Sequence, residues 1–127
     1  MIPMFDLYKE KWQVASDSAI KPGLAAIKAA LGKLDNPECS LQVVHVAGTN
    51  GKGSTLTFIE GIARAHGLSV GKFMSPCIMD VHDQIQVNGN NVTSDQMDRA
   101  FQKIQKADLS GMLTEFELLT AVAFLVF

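Results

Sequence analysis

The stretch HVAGTNGKGS, residues 45–54, sets Gly48, Gly51 and Gly53 around a single cation, Lys52, with the hydroxyls of Ser54 and Thr55 close behind it. A run of β-formers precedes it and a helical pattern follows. A strand that empties into a glycine-rich turn and then a helix aims several backbone N–H groups, and the positive end of the helix, at one point, and a phosphate fits that point. In such a site Gly51 and Gly53 let the backbone approach the ligand, Lys52 neutralises the terminal phosphates, and Ser54 or Thr55 offers a hydroxyl to Mg²⁺. The strict phosphate-loop pattern is G-x-x-x-x-G-K-[ST]. Here Gly53 follows Lys52, so the hydroxyl arrives one residue late, at Ser54. The plain alternative is a glycine-rich turn with a solvated lysine, but three glycines in six residues weaken a fold that gains nothing from them. Thr49 and Asn50 are also ordinary turn residues.

Other residues with chemical potential have simpler explanations. Ser75-Pro76 follows a second expected strand at the end where ligands gather in open α/β sheets, although a Ser-Pro after a strand also makes an ordinary turn. His45 suits a hydrogen-bonded histidine within a buried strand, while His66 at a helix end and His82 in a loop are weak candidates. Thr93 with Gln96, and Thr114 with Glu117, have the spacing of capping boxes. Phe101 and Phe116 are most simply core. Cys39 and Cys77 form no C-x-x-C pair and suit reduced thiols in a cytosolic setting, with no metal cluster implied.

The elements that must position these residues follow from periodicity. Phe5, Tyr8, Trp12 and Ala15 recur at helical spacing, as do Leu24, Ile27, Leu31 and Leu34, with Pro22 and Gly23 interrupting between them. LQVVHVA, residues 41–47, reads as a short buried strand closed by Gly48. From Ser54 the pattern of Leu56, Ile59 and Ala63 predicts a helix that ends at His66 and Gly67. LSVGKFM, residues 68–74, reads as a second strand. Strand, glycine loop, helix and strand make a phosphate-loop-type βαβ unit, which implies an α/β fold with a parallel sheet. Beyond it, Ile85 and Val87 alternate with polar residues up to the turn signal Asn88-Gly89. Helices are expected behind Thr93 and behind Thr114, the second apolar on nearly every side and therefore buried. It reaches Phe127 without a capping residue, which suggests that the protein continues.

Composition narrows the class. The 127 residues are 47% hydrophobic and 19% charged, within the ordinary range for one soluble globular domain. A net charge of −2, from 11 Lys and Arg among 13 Asp and Glu, provides no attraction for a polyanion such as nucleic acid. No signal peptide and no membrane-length apolar run is present, so the expectation is a cytoplasmic protein.

At HVAGTNGKGS, FMSPCIMDVHDQIQVNG and LTEFELLTAVAFLVF, the sequence resembles the N-terminal part of folylpolyglutamate synthase, often bifunctional with dihydrofolate synthase, within the Mur ligase superfamily. The likeness spans most of the chain. Its most specific piece is G-T-N-G-K-G-S, where the extra glycine is the form this family uses. The resemblance implies that residues 1–127 are the N-terminal part of a Mur-ligase-like ATP-binding domain, truncated at the C-terminal end. It also implies an ATP- and Mg²⁺-dependent ligase, which makes an acyl phosphate from a folate carboxylate and lets the amine of L-glutamate displace the phosphate. Thr49, Asn50, Gly51, Lys52, Gly53 and Ser54 then form the nucleotide loop, with Lys52 as the catalytic cation. Ser75 matches a serine that binds Mg²⁺, alongside Ser54. Lys21, Pro22 and Gly23 match a segment near the pterin, and Thr114 and Phe116 match positions lining the same pocket.

Asp83-Gln84 stands where many relatives have Glu-Arg, so neither residue is assigned a role. The family's further Mg²⁺ ligands, a glutamate and a histidine, and its C-terminal domain are expected beyond Phe127, so the chain alone is expected to be inactive. Implied partners are small molecules: a folate or dihydropteroate, L-glutamate and ATP. The alternatives are a Mur ligase acting on a cell-wall precursor and a non-catalytic nucleotide-binding module.

Overall fold

The computed structural model describes residues 2–17, 23–48, 51–75 and 77–127. Five helices are formed among them: α1 (Phe5–Lys11), α2 (Ala25–Lys33), α3 (Lys52–Ala65), α4 (Ser94–Lys106) and α5 (Glu115–Val126). Three short strands, β1 (Gly71–Phe73), β2 (Ile85–Val87) and β3 (Asn90–Asn91), pair in that order, antiparallel throughout.

The core is built by the helices at either end of the chain. The stripe Met97, Phe101 and Ile104 of α4 is sealed from solvent against Phe5 and Tyr8 of α1 and Leu118, Leu119 and Val122 of α5. Phe5 meets Phe101 edge-on at 5.6 Å, and Tyr8 stacks on it at 5.9 Å. Burial of each such side chain contributes roughly 1.5–3 kcal/mol. Polar ties hold the register. The Asp98 carboxylate accepts from the Lys11 ammonium (2.9 Å) and the Trp12 indole (2.8 Å), and the Gln105 amide donates to the Trp12 carbonyl. Those two donors hold the Asp98 carboxyl below its ordinary pKa, against the opposing effect of burial.

Both capping boxes form as expected. The Thr93 and Thr114 hydroxyls accept from the N–H groups of Gln96 and Glu117, whose side chains accept in return from the threonine N–H groups. Asn88 and Gly89, both with positive φ, turn β2 into β3, and Gly67 (φ 82°) ends α3 with Leu68 N–H returning to Ala63.

The parallel sheet is where the structure departs from expectation. Residues 41–48 form no strand and are largely exposed, with Val43 at 66%, Val44 at 67% and His45 open to solvent. His45 is therefore not a core histidine. The strand at 68–74 shortens to β1, and its described partner is the antiparallel β2. A βαβ crossover is stabilised when its helix buries an apolar stripe on the sheet, and α3 does not. Phe58 is 73% exposed, Ile62 is exposed, and the one buried residue of α3 is Glu60, paired with Lys72 of β1 at 3.1 Å. Periodicity also overran α1, which stops at Lys11 because Gln13 adopts a left-handed conformation.

Candidate functional site

The glycine loop enters α3 with Gly51 as its N-terminal flanking residue, at φ 76°. Only glycine takes that conformation without strain, so the sequence dictates the local geometry. Among the described residues no side chain caps the first turn of α3, and Lys52, Gly53 and Ser54 are all exposed there. Among the described residues, a Cβ added to Gly48, Gly51 or Gly53 would meet nothing within 4 Å. Uncapped N–H groups at a helix start beside a lysine match an anionic phosphate in charge and in hydrogen-bonding sense. Thr49 and Asn50 lie outside the described residues.

Ser75 follows β1 and is exposed. The backbone on either side of it is held. Met74 N–H donates to the Gln84 carbonyl at 2.9 Å, and the Gln84 side chain returns a bond to the Met74 carbonyl. Downstream, the Asp83 carboxylate accepts the N–H groups of Ile78 (2.8 Å), Met79 (2.6 Å) and Asp80 (3.2 Å). Burial pushes the Asp83 carboxyl up, but those three donors, with His82 nearby, outweigh it and hold it below the usual carboxylate range. Asp83 and Gln84, given no role from sequence, thus fix the backbone around Ser75.

Among the described residues no group of three or more His, Cys, Asp and Glu side chains is placed to hold a metal. The oxygen donors on offer, the hydroxyls of Ser54 and Ser75, suit Mg²⁺, which keeps several waters and is commonly bound through one or two protein groups plus substrate phosphates.

Two further predicted residues, Thr114 and Phe116, stand at the start of α5. Thr114 caps the helix, and Asp17 pairs with it in a parallel bridge, its N–H donating to the Leu113 carbonyl. The chain just before residues 18–22 therefore runs alongside Thr114. Lys21 and Pro22 themselves lie outside the described residues, and Gly23, at φ 90°, is exposed. Phe116 is not core as expected. It is 54% exposed, and its ring stacks on Phe73 of β1 at 6.0 Å and 19°, two residues before Ser75. Its position in the first turn of α5 points it outward, while Leu118 and Leu119 take the buried face.

Periodicity missed a chain of polar contacts that passes through His82. Its Nδ1 lies 2.9 Å from Asp80 Oδ1 and its Nε2 2.6 Å from the Tyr8 hydroxyl, which in turn lies 3.1 Å from Ser94 Oγ. The sequence signal was the Asp80-x-His82 spacing within a segment read only as loop.

The chain is similar to known proteins over most of its length. It is 39% identical over 115 residues to a dihydrofolate synthase/folylpolyglutamate synthase of Bacillus subtilis, covering 85% of this chain and 26% of that one. It is 38% identical over 111 residues to a dihydrofolate synthetase of Saccharomyces cerevisiae, with 86% and 26% covered. Among solved structures, the Mycobacterium tuberculosis folylpolyglutamate synthase complexed with ADP superposes with a TM-score of 0.79 at 27% identity, over 96% of this chain and 28% of that one. A bifunctional synthase of Yersinia pestis complexed with AMPPNP and Mn ion superposes with a TM-score of 0.78 at 29% identity, over 94% and 29%. No protein-family model matches. The chain spans about a quarter of the length of these curated relatives. Over most of its length the chain is thus similar to folylpolyglutamate and dihydrofolate synthases.

Proposed function

We propose that this chain supplies the nucleotide-phosphate loop and part of the metal site of an ATP- and Mg²⁺-dependent ligase that adds L-glutamate to a folate. The carrying observation is the start of α3, where a left-handed Gly51, uncapped first-turn N–H groups and the exposed Lys52 are presented together. Thr49 to Ser54 would wrap the phosphates, with the N–H groups of the first turn donating to their oxygens. Lys52 would stabilise negative charge as the terminal phosphoryl group passes to the folate carboxylate. Ser54 and Ser75 would hold the cation, Ser75 on backbone fixed by Asp83 and Gln84. A bound Mg²⁺ supplies charge neutralisation on the phosphates. Thr114 and Phe116, with residues 21–23, would line the folate side, where the exposed Phe116 ring offers a flat apolar surface.

The likeness to two relatives solved with ADP or AMPPNP supports the nucleotide reading. Catalysis also requires the acyl phosphate and the incoming amine to be held together away from water. The described residues present an open loop rather than an enclosed site, so we expect the chain alone to form no glutamylated folate.

Titration of the ¹⁵N-labelled chain with ATP and Mg²⁺ tests the proposal. Shifts confined to the amides of residues 51–55 and lost in Lys52→Ala are expected. Unmoved amides there overturn the phosphate reading. Addition of a reduced folate separates the ligase reading from a purely nucleotide-binding module, because only the former predicts further shifts at Gly23, Thr114 and Phe116.

A further inference from the structure

Four side chains from three separate elements form one hydrogen-bonded line: Asp80 and His82 of the turn after Ser75, Tyr8 of α1, and Ser94 at the start of α4. The line is short at every step, at 2.9, 2.6 and 3.1 Å, and Tyr8 is buried. The same turn is tied to the core once more, by Val81 N–H donating to the Pro3 carbonyl at 3.0 Å. On its other side the turn holds the backbone that leads from Ser75, through the three N–H groups accepted by Asp83.

We propose that Tyr8, His82 and Asp80 are positioning residues for the segment that bears Ser75, and that protonation of His82 sets how firmly that segment is held. The inference rests on the reading of Ser75 as a ligand to the nucleotide-bound cation. In the neutral imidazole, Nδ1–H donates to Asp80 and Nε2 accepts the Tyr8 proton, so the Ser94 hydroxyl must donate to the Tyr8 oxygen. In the imidazolium, Nε2–H donates to the Tyr8 oxygen, the Tyr8 proton turns to Ser94, and the contact with Asp80 becomes an ion pair. The contacts survive: the bonds from His82 to Tyr8 and from Tyr8 to Ser94 reverse direction, while Nδ1–H keeps donating to Asp80 and that bond becomes charge-assisted. The charged and titratable groups in contact with His82 are Asp80 at 2.9 Å, Asp83 on the same turn and Tyr8 on α1. The two carboxylates lie on the turn itself and firm it from within, while the charge-assisted Nε2–H bond to Tyr8 ties the turn to α1.

The test is nuclear magnetic resonance of the ¹⁵N-labelled chain without nucleotide, followed as the pH is varied. The expected result is one midpoint shared by the His82 ring nitrogens and the amides of Ser75, Ile78 and Met79, with amide protection of Ile78 and Met79 rising as His82 is protonated. Tyr8→Phe removes the hydroxyl and keeps the ring against Phe101. It should cut that protection about fivefold, the equivalent of one ordinary hydrogen bond, and release Ser75 from the His82 midpoint. His82→Gln, which keeps a hydrogen-bonding group in reach of Tyr8, should restore protection and abolish its pH dependence, and it decides the matter if Tyr8→Phe fails to fold. A Ser75 amide that ignores the His82 titration, or follows it equally in Tyr8→Phe, overturns the proposal. Because no ATP is present, a silent ATP titration at residues 51–55 would remove the nucleotide reading without touching this result.

Discussion

In the packed half, Phe5, Phe101, Ile104 and Leu119 are fully sealed from solvent, whereas from residue 32 to residue 80 no described hydrophobic side chain is buried. The second region holds the glycine loop, α3 and Ser75, and its two buried residues are the charged pair Glu60 and Lys72. The two regions therefore keep their shape by different means. α4 and α5 are locked by mutual burial, and α3 stands on local signals: a glycine at each end and an unbroken helical ladder between them. Ligand-binding loops are drawn from the low-stability end of a structure, because a loop that must close on a ligand cannot be frozen by the core. The phosphate-binding role proposed for Lys52 and Ser54 accords with that rule.

The contrast can be broken or sharpened by mutation. The largest effect belongs to the packed half: Phe101→Ala should cost about 3–5 kcal/mol in urea unfolding, through lost burial and the cavity left between α1, α4 and α5. A cost below about 1 kcal/mol would deny that this ring is central. Next comes Gly51→Val, which places a β-branched residue at φ 76°. Strain of roughly 1–3 kcal/mol should fray the first turn of α3, visible as faster amide exchange there, while the exchange of α4 stays unchanged. Exchange that accelerates in α4 as well would mean the two regions unfold as one unit.

Thr114→Ala removes a cap whose loss costs about 1 kcal/mol, and it should lower the unfolding midpoint because α5 belongs to the packed half. The Asp83 carboxyl gives a pH test in the other region. Its pKa is held down in the folded chain, so its contribution is present above the ordinary aspartate value of about 4 and is lost as the pH falls below that through the folded value. Protection of the Ile78 and Met79 amides should therefore collapse in acid before the helices melt, and Asp83→Asn should show the same loss at neutral pH. The smallest stability effect is that of Lys52→Ala, within about 0.5 kcal/mol as for an exposed surface residue, although it should abolish the response to ATP. A large loss of stability would make Lys52 a structural residue.

Local chemistry was legible in the residues themselves. The two capping boxes need only a threonine and a Glu or Gln three residues on. The Asn88-Gly89 turn and the Gly67 stop need residues that tolerate positive φ. The stripe of Met97, Phe101 and Ile104 needs only a period of 3.6, and each formed as expected. The glycine loop leading into a helix was legible for the same reason, since Gly51 and the helix that follows are settled within a few residues.

Only tertiary structure could decide what depends on partners distant in sequence. A strand exists through its neighbour, so the β-branched run at 41–47 carried no information on whether a ladder would be waiting, and in the described residues it is not. Phe116 looked like core because hydrophobicity does not say which side of a helix faces inward when nearly every side is apolar; the docking of α5 on α4 and α2 decided that Leu118 and Leu119 go in and Phe116 out. The line from Asp80 through His82 and Tyr8 to Ser94 joins residues up to 86 positions apart. No local pattern specifies such a meeting, because hydrogen bonds between side chains form only after burial has brought their backbones together.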